Sequence, residues 1–204
     1  MKKRAVLTVL GILLFILPSF GQNIWPGDLF IGGDISSSLV WRRSYIDPED
    51  SGSDIREDEY SATFSGYAGY FITQGVEIGP DLILRYSQRS DNQGNDTIER
   101  SARFGAHAGY FHYTGGKWVP FGKLVSTYNL TSRINDGNEY LATGLSLIPI
   151  LGIDLFITAS VAVKASAFFD FEYLWWEDEF DTGEIKGETM NLNTGISLGL
   201  DVFL

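Results

Sequence analysis

A chain of 204 residues with a formal net charge of −11 and no cysteine excludes several function classes at once. The acid excess argues against a nucleic-acid partner, because phosphate binding needs clustered Lys and Arg. The missing thiol removes disulfides, iron–sulfur ligation, a cysteine nucleophile and lipidation at a cysteine.

The first element is a targeting segment. MKKRAVLTVLGILLFILPSFGQ opens with Lys2, Lys3 and Arg4, continues in an apolar run from Ala5 to Leu17, and breaks at Pro18. This pattern predicts a secretory signal peptide over residues 1–21, with cleavage after Gly21. The competing reading, an uncleaved anchor, is disfavoured by an apolar run too short to span a bilayer. Losing the three basic residues takes the net charge from −11 to −14 for the mature domain, 22–204.

From Leu29 onward the chain reads as period-two alternation, the pattern of strands with one apolar face. Leu29, Ile31, Gly33, Ile35, Ser37, Leu39 and Trp41 share one face, with Asp34, Ser36 and Ser38 between them. A second run takes Tyr60, Ala62, Phe64, Gly66, Ala68, Tyr70 and Ile72. A third takes Val76, Ile78, Pro80, Leu82, Leu84 and Tyr86, interleaved with Glu77, Asp81 and Arg85. The fourth sets Ala102, Phe104, Ala106, Ala108 and Tyr110 against Arg103, Gly105 and His107. The fifth, Trp118 to Leu130, is less regular, and Lys123 marks its polar side.

GLSLIPILGIDLFITASVAV, Gly144–Val163, has the length of a membrane helix but carries Pro149, Gly152 and Asp154 in its interior. Period two resolves it into the end of one strand, a turn and the start of the next. Leu141, Thr143, Leu145, Leu147, Pro149, Leu151 and Ile153 form one face. Val161, Val163, Ala165, Ala167, Phe169, Phe171, Tyr173 and Trp175 form the other, opposite Lys164, Asp170 and Glu172. On this reading Asp154 sits hydrated at a short turn, Leu147 and Val163 face lipid, and Pro149 demands an irregular or edge-like pairing. The eighth run, Met190 to Leu204, alternates without a break.

Eight long strands are therefore predicted, most of ten residues or more, as a transmembrane strand requires (~9–11 residues). Tight turns are expected at Thr73–Gly75, Thr114–Lys117 and Leu155–Thr158, and polar loops at Arg43–Glu59, Gln88–Glu99, Thr131–Glu139 and Glu177–Glu188. Those four loops hold 18 of the 26 acidic residues. Tyr60, Tyr70, Tyr86, Tyr110, Trp118, Tyr128, Tyr173 and Trp175 fall near run ends, as interfacial girdles do.

On this rhythm, on FSGYAGYFI (64–72), WVPFGKLVSTY (118–128) and the terminal GISLGLDVFL, the chain from Asp28 to Leu204 resembles the small eight-stranded outer-membrane barrels of the OmpA/OmpX/OmpW kind. The resemblance implies an all-β, antiparallel up-and-down transmembrane barrel with short periplasmic turns and four longer extracellular loops. It also implies outer-membrane lipid as surroundings and recognition of the C-terminal strand by the barrel assembly machinery. Such strands usually finish in an aromatic residue; this one ends in Leu204, with Phe203 penultimate.

Three motifs have ordinary explanations. Gly195-Ile-Ser197-Leu-Gly199 matches a nucleophile elbow, but that elbow needs a later histidine, and His107 and His112 both precede it. Asp181-Thr-Gly183 lies in an acidic stretch without apolar flanks and reads as a turn. Asp91–Glu99 fails the calcium-loop spacing, and at most its acids attract loosely held divalent cations.

The inward-facing set Asp34, Glu77, Asp81, Arg85, Arg103, His107, Lys123, Lys164, Asp170, Glu172 and Asp201 is the main constellation. Side chains can fill an eight-stranded interior, so the expectation is a mixed-charge network that closes the lumen. No catalytic residue, cofactor or metal is expected. The function expected is a non-enzymatic, monomeric barrel that presents acidic surface loops, for envelope integrity or for an unidentified surface partner. Alternatives are a narrow channel or hydrophobic-molecule passage, a lipid-modifying barrel enzyme using His107 with Ser101 or Glu77, and a secreted soluble barrel.

Overall fold

A computed structural model describes residues 25–43, 57–91, 96–113, 115–135, 138–180 and 183–204, with backbone alone at some strand ends farthest from the tight turns. The signal segment 1–21 and the connection 44–56 lie outside the described residues. Eight strands follow one another: β1 (Leu29–Arg43), β2 (Glu57–Thr73), β3 (Val76–Asp91), β4 (Asp96–Phe111), β5 (Trp118–Asn135), β6 (Asn138–Phe156), β7 (Val161–Phe180) and β8 (Gly183–Phe203). Each pairs antiparallel with its sequence neighbour, and β8 returns to β1 to close the barrel.

The register sets the barrel's dimensions. A path of paired residues from Gly32 through Tyr67, Asp81, Gly105, Thr127, Ser146, Glu172 and Asn191 returns to β1 at Arg42, a stagger of ten residues. At ~3.3 Å per residue and ~4.8 Å between strands, that stagger tilts the strands by roughly 40°. The backbone cylinder is then roughly 16 Å across, which inward side chains can fill.

Alternation sorts the two faces cleanly. Ile31, Ile35, Phe64, Leu151, Ile196 and Leu198 are each more than half exposed on the outer wall. Leu147 and Val163 face outward too, 47% and 38% exposed. An apolar wall of this extent is not compatible with water and defines a surface made for hydrocarbon. Tyr70, Tyr110 and Trp118 lie on it near the tight-turn rim, and Tyr86, Tyr128, Tyr173 and Trp175 towards the far rim.

Three expectations are corrected. The polar stretches Gln88–Glu99, Thr131–Glu139 and Glu177–Glu188 are largely strand, since β3 reaches Asp91, β5 reaches Asn135 and β7 reaches Phe180. Loss of apolar alternation marks where the wall stops facing hydrocarbon, but the backbone ladder continues past that level because pairing does not need apolar side chains. The third tight turn lies at 157–160 rather than Leu155–Thr158. There Thr158 Oγ1 accepts from the Ser160 and Val161 amides at 3.2 and 3.0 Å. Asp154 accordingly stays inside β6, facing inward and fully buried, not hydrated at a turn.

Two of the outward-facing prolines interrupt their ladders. Pairing of β6 with β7 passes from Leu147↔Phe171 to Ile150↔Phe168 and omits Pro149. That of β2 with β3 passes from Tyr67↔Asp81 to Tyr70↔Ile78 and omits Pro80. Proline lacks the amide a central strand would donate, so each ladder opens there.

Candidate functional site: the filled lumen

Every strand sends alternate residues inward, and these fill the lumen in layers. The layer at the tight-turn rim is apolar. Phe30, Phe71, Phe111, Phe121, Phe156 and Phe203 come from six different strands and are all buried. Phe203 stacks on Phe30 with centroids 5.4 Å apart and meets Phe156 at 5.0 Å. Phe71 meets Phe111 edge-on at 5.5 Å, and Phe111 stacks on Phe121 at 5.3 Å. Such pairs add roughly 0.5–1.5 kcal/mol each beyond area burial. Because β1 and β8 contribute the Phe30–Phe203 stack, the plug also locks the seam between the first and last strands.

A charged layer overlies the plug, organised around Tyr67. Its hydroxyl donates to Asp201 and accepts from Lys164. Lys123 Nζ and Lys164 Nζ sit over its ring, 3.7 and 4.1 Å from the centroid, in cation–π geometry. Lys164 also pairs with Asp34 at 2.8 Å and reaches Asp201 at 4.0 Å. Asp154 lies opposite Lys164 in the β6–β7 register and interacts electrostatically with Asp201 and Lys123.

His107 is held on both ring nitrogens. Nδ1 bonds Asp81, and Nε2 lies 3.2 Å from Glu77. The imidazole side chain has no solvent exposure. Glycines make room for these groups. A Cβ on Gly69 would lie 1.9 Å from Phe30 and 2.4 Å from Glu77, and one on Gly32 would lie 2.1 Å from Asp201.

Above this layer is a cavity of about 70 Å³, lined by Asp34, Ser65, Asp81, Arg85, Lys123 and Asn193 among others. Beyond it Arg103 bridges Asp170 at 2.6 Å and Glu172 at 2.9 Å. Asn193 donates to Asp170 at 3.1 Å, while Asn129 and Asn191 donate to Glu172 at 3.0 and 2.9 Å. Nearer the far rim, Arg133 pairs with Glu99 at 2.9 Å.

All eleven residues expected inside are buried on the inner face. They divide into two groups: Asp34, Glu77, Asp81, His107, Lys123, Lys164 and Asp201 around Tyr67, and Arg103 with Asp170 and Glu172. Arg85 lines the cavity between the groups. His107 meets Glu77, but Ser101 bonds Arg103 and Thr131 instead. Ser197, centre of the elbow-like motif, is a lumen residue paired with Ser166 at 2.6 Å. Residues 92–95 of the calcium-like stretch, and Asp181 and Thr182 of the Asp-Thr-Gly triplet, lie outside the described residues. Among the described residues, no cluster of three His, Asp or Glu side chains is arranged to hold a metal ion.

Sequence reasoning missed the phenylalanine plug, Tyr67, Asp154 and the Asn129, Asn191 and Asn193 amides. The signal was present: each occupies the polar parity of its run, and the phenylalanines recur on that parity beside the tight turns.

The fold is that of the small eight-stranded outer-membrane barrels. OprG from Pseudomonas aeruginosa superposes with a TM-score of 0.61 at 10% identity, over 90% of this chain and 98% of its own. AlkL, solved in DMPC bilayers, gives 0.62 at 9% identity, with 92% and 94% covered. Neisserial surface protein A gives 0.53 at 15% identity, with 85% and 96% covered. No protein-family model and no curated protein sequence matches the chain.

Proposed function

We propose that this chain is a non-conducting, non-enzymatic outer-membrane barrel, exported by a cleaved signal peptide, that anchors acidic surface segments for envelope integrity or partner contact. The observation that carries the reading is the filled lumen. Among the described residues, a six-phenylalanine plug and two ion-paired layers occupy the interior, and the cavity between those layers is about 70 Å³. That volume holds a few waters at most, given ~10–15 Å³ of probe-occupied space per molecule. The tight-turn rim is periplasmic in this reading, and the rim where strands run on into acid-rich sequence is external.

The enzyme alternative finds little support in the same geometry. A general base must reach a substrate proton, and His107 is enclosed by two carboxylates with no exposed side-chain surface. The test is single-channel recording of the purified full chain in planar bilayers. We expect no steady conductance above baseline from a barrel whose insertion is verified by heat-modifiable gel mobility. A stable, reproducible open level would overturn the closed-lumen reading.

A further inference from the structure

Inside the barrel, acid exceeds base. Among the described residues, eight carboxylates are buried on the inner face, against Arg85, Arg103, Lys123, Lys164 and His107. Counting half-buried Arg133 and a protonated His107 as cations still leaves an excess of two negative charges. Charge taken out of water calls for counter-charge close by. This interior therefore favours a small cation over an anion.

Two oxygens show where such a cation fits. Asp170 and Asn193 are register partners on β7 and β8, 5% and 1% exposed. Arg103 and Asn193 Nδ2 both donate to Asp170 Oδ2. Asp170 Oδ1 and Asn193 Oδ1 remain, and neither receives a hydrogen bond from any described residue. Both side chains line the cavity of about 70 Å³. Buried acceptors without a donor are costly and rare in folded proteins. The cavity's own cations do not supply one. Arg103 is committed to Asp170 Oδ2 and Glu172, Lys123 lies against the Tyr67 ring, and Arg85 is engaged as well.

The cavity has two unlike sides. Ile83, Val125, Ile148 and Phe168, from β3, β5, β6 and β7, make one side apolar. Ser36, Ser65 and Ser197, from β1, β2 and β8, give the other side hydroxyls. At ~10–15 Å³ per water-sized group, there is room for roughly five such groups. The wall also offers a way in. The β1–β2 ladder ends at Ser36↔Thr63, and both residues line the cavity. Past that pair, among the described residues, β1 continues to Arg43 against β8 alone, and β2 begins at Glu57 against β3 alone.

We infer that this cavity binds a primary alkylammonium of about four carbons, entering between β1 and β2. Its N–H groups donate to Asp170 Oδ1 and Asn193 Oδ1, and its chain lies along the apolar side. An ammonium head carries three donors and the missing charge. Water supplies the donors but not the charge, and it gains nothing from the apolar side. A carboxylate has the wrong sign. The pocket is blind, because the phenylalanine plug lies beneath it, so binding here goes beyond the non-conducting reading without opening the lumen.

The test places the full chain, with carbon-13 in its Val and Ile methyl groups, in phosphatidylcholine nanodiscs and titrates it by NMR. n-Butylammonium should shift the Val125 and Ile148 methyl signals saturably. n-Butanol lacks the charge and butyltrimethylammonium lacks the N–H donors, so each should bind roughly tenfold more weakly, the scale of a charge-assisted hydrogen bond. Asn193→Leu should weaken butylammonium by a similar factor. Val125→Phe, which fills the cavity, should abolish the Ile148 shift. Heat-modifiable mobility verifies insertion of each variant, and the comparison of ligands on the wild-type barrel depends on no variant. Absence of a saturable shift at Val125 and Ile148 would leave the cavity to water and overturn the assignment. Equal binding of butyltrimethylammonium would overturn it too, because general attraction of cations to acidic sequence needs no donor.

Discussion

Replacing Arg103 by methionine isolates the upper ionic layer. Arg103 is 2% exposed and neutralises two carboxylates, Asp170 at 2.6 Å and Glu172 at 2.9 Å. At an effective dielectric of about 20, each attraction is worth roughly 6 kcal/mol gross. Desolvating three ions offsets much of that sum, so the net value of the intact triad is small. Removing the cation alone is another matter, because two like charges two residues apart on β7 lose their counter-ion inside the lumen. The asparagine donors remain but cannot supply charge. The expected cost is about 3–5 kcal/mol. It would be read as a lower midpoint in urea unfolding of the vesicle-inserted barrel, followed by tryptophan fluorescence and gel mobility. The triple variant Arg103→Met, Asp170→Asn, Glu172→Gln should recover most of the loss, since no uncompensated charge remains. A single variant within 0.5 kcal/mol of wild type, a margin of about the ordinary surface-substitution scale, would show that water reaches these carboxylates and would refute the closed-layer reasoning.

Phe203→Ala should lower unfolding stability by about 3–5 kcal/mol, because it removes the stack on Phe30 that joins β8 to β1; a loss under 1 kcal/mol would remove the plug from the closure argument. Gly69→Ala should destabilise by roughly 1–3 kcal/mol through overpacking against Phe30 and Glu77, whereas Gly66→Ala, whose Cβ would meet nothing within 4 Å, should be nearly neutral in the same assay. Leu147→Arg, on the lipid face, should cost about 2–4 kcal/mol in vesicles, and an unchanged midpoint there would count against a bilayer around this wall.

Much of this architecture was legible in the residues because a barrel wall has period two. Each strand separates two solvents, so parity alone assigns Phe64 outward and Arg85 inward. The limits of that reading are equally physical. Alternation reports the chemistry outside the wall, so it ends where hydrocarbon ends. That is why the residues themselves read as loop where the strands in fact extend to Asp91, Asn135 and Phe180. A carboxylate in an apolar run looks costly and so suggests a turn at Asp154, yet its parity within β6 directs it to the interior, where it is buried.

The sequence by itself determined the number of strands, their order, which face of each meets lipid and the acidic balance of the inward set. These are local properties, repeated residue by residue along one strand. Only the tertiary structure decided what the inward residues do to one another, because their partners lie on other strands. Tyr67 is 134 residues from Asp201 and 97 from Lys164. Their meeting follows from closing eight tilted strands with a stagger of ten. The same closure brings Phe203 onto Phe30 and turns phenylalanines scattered along the polar parity into a plug.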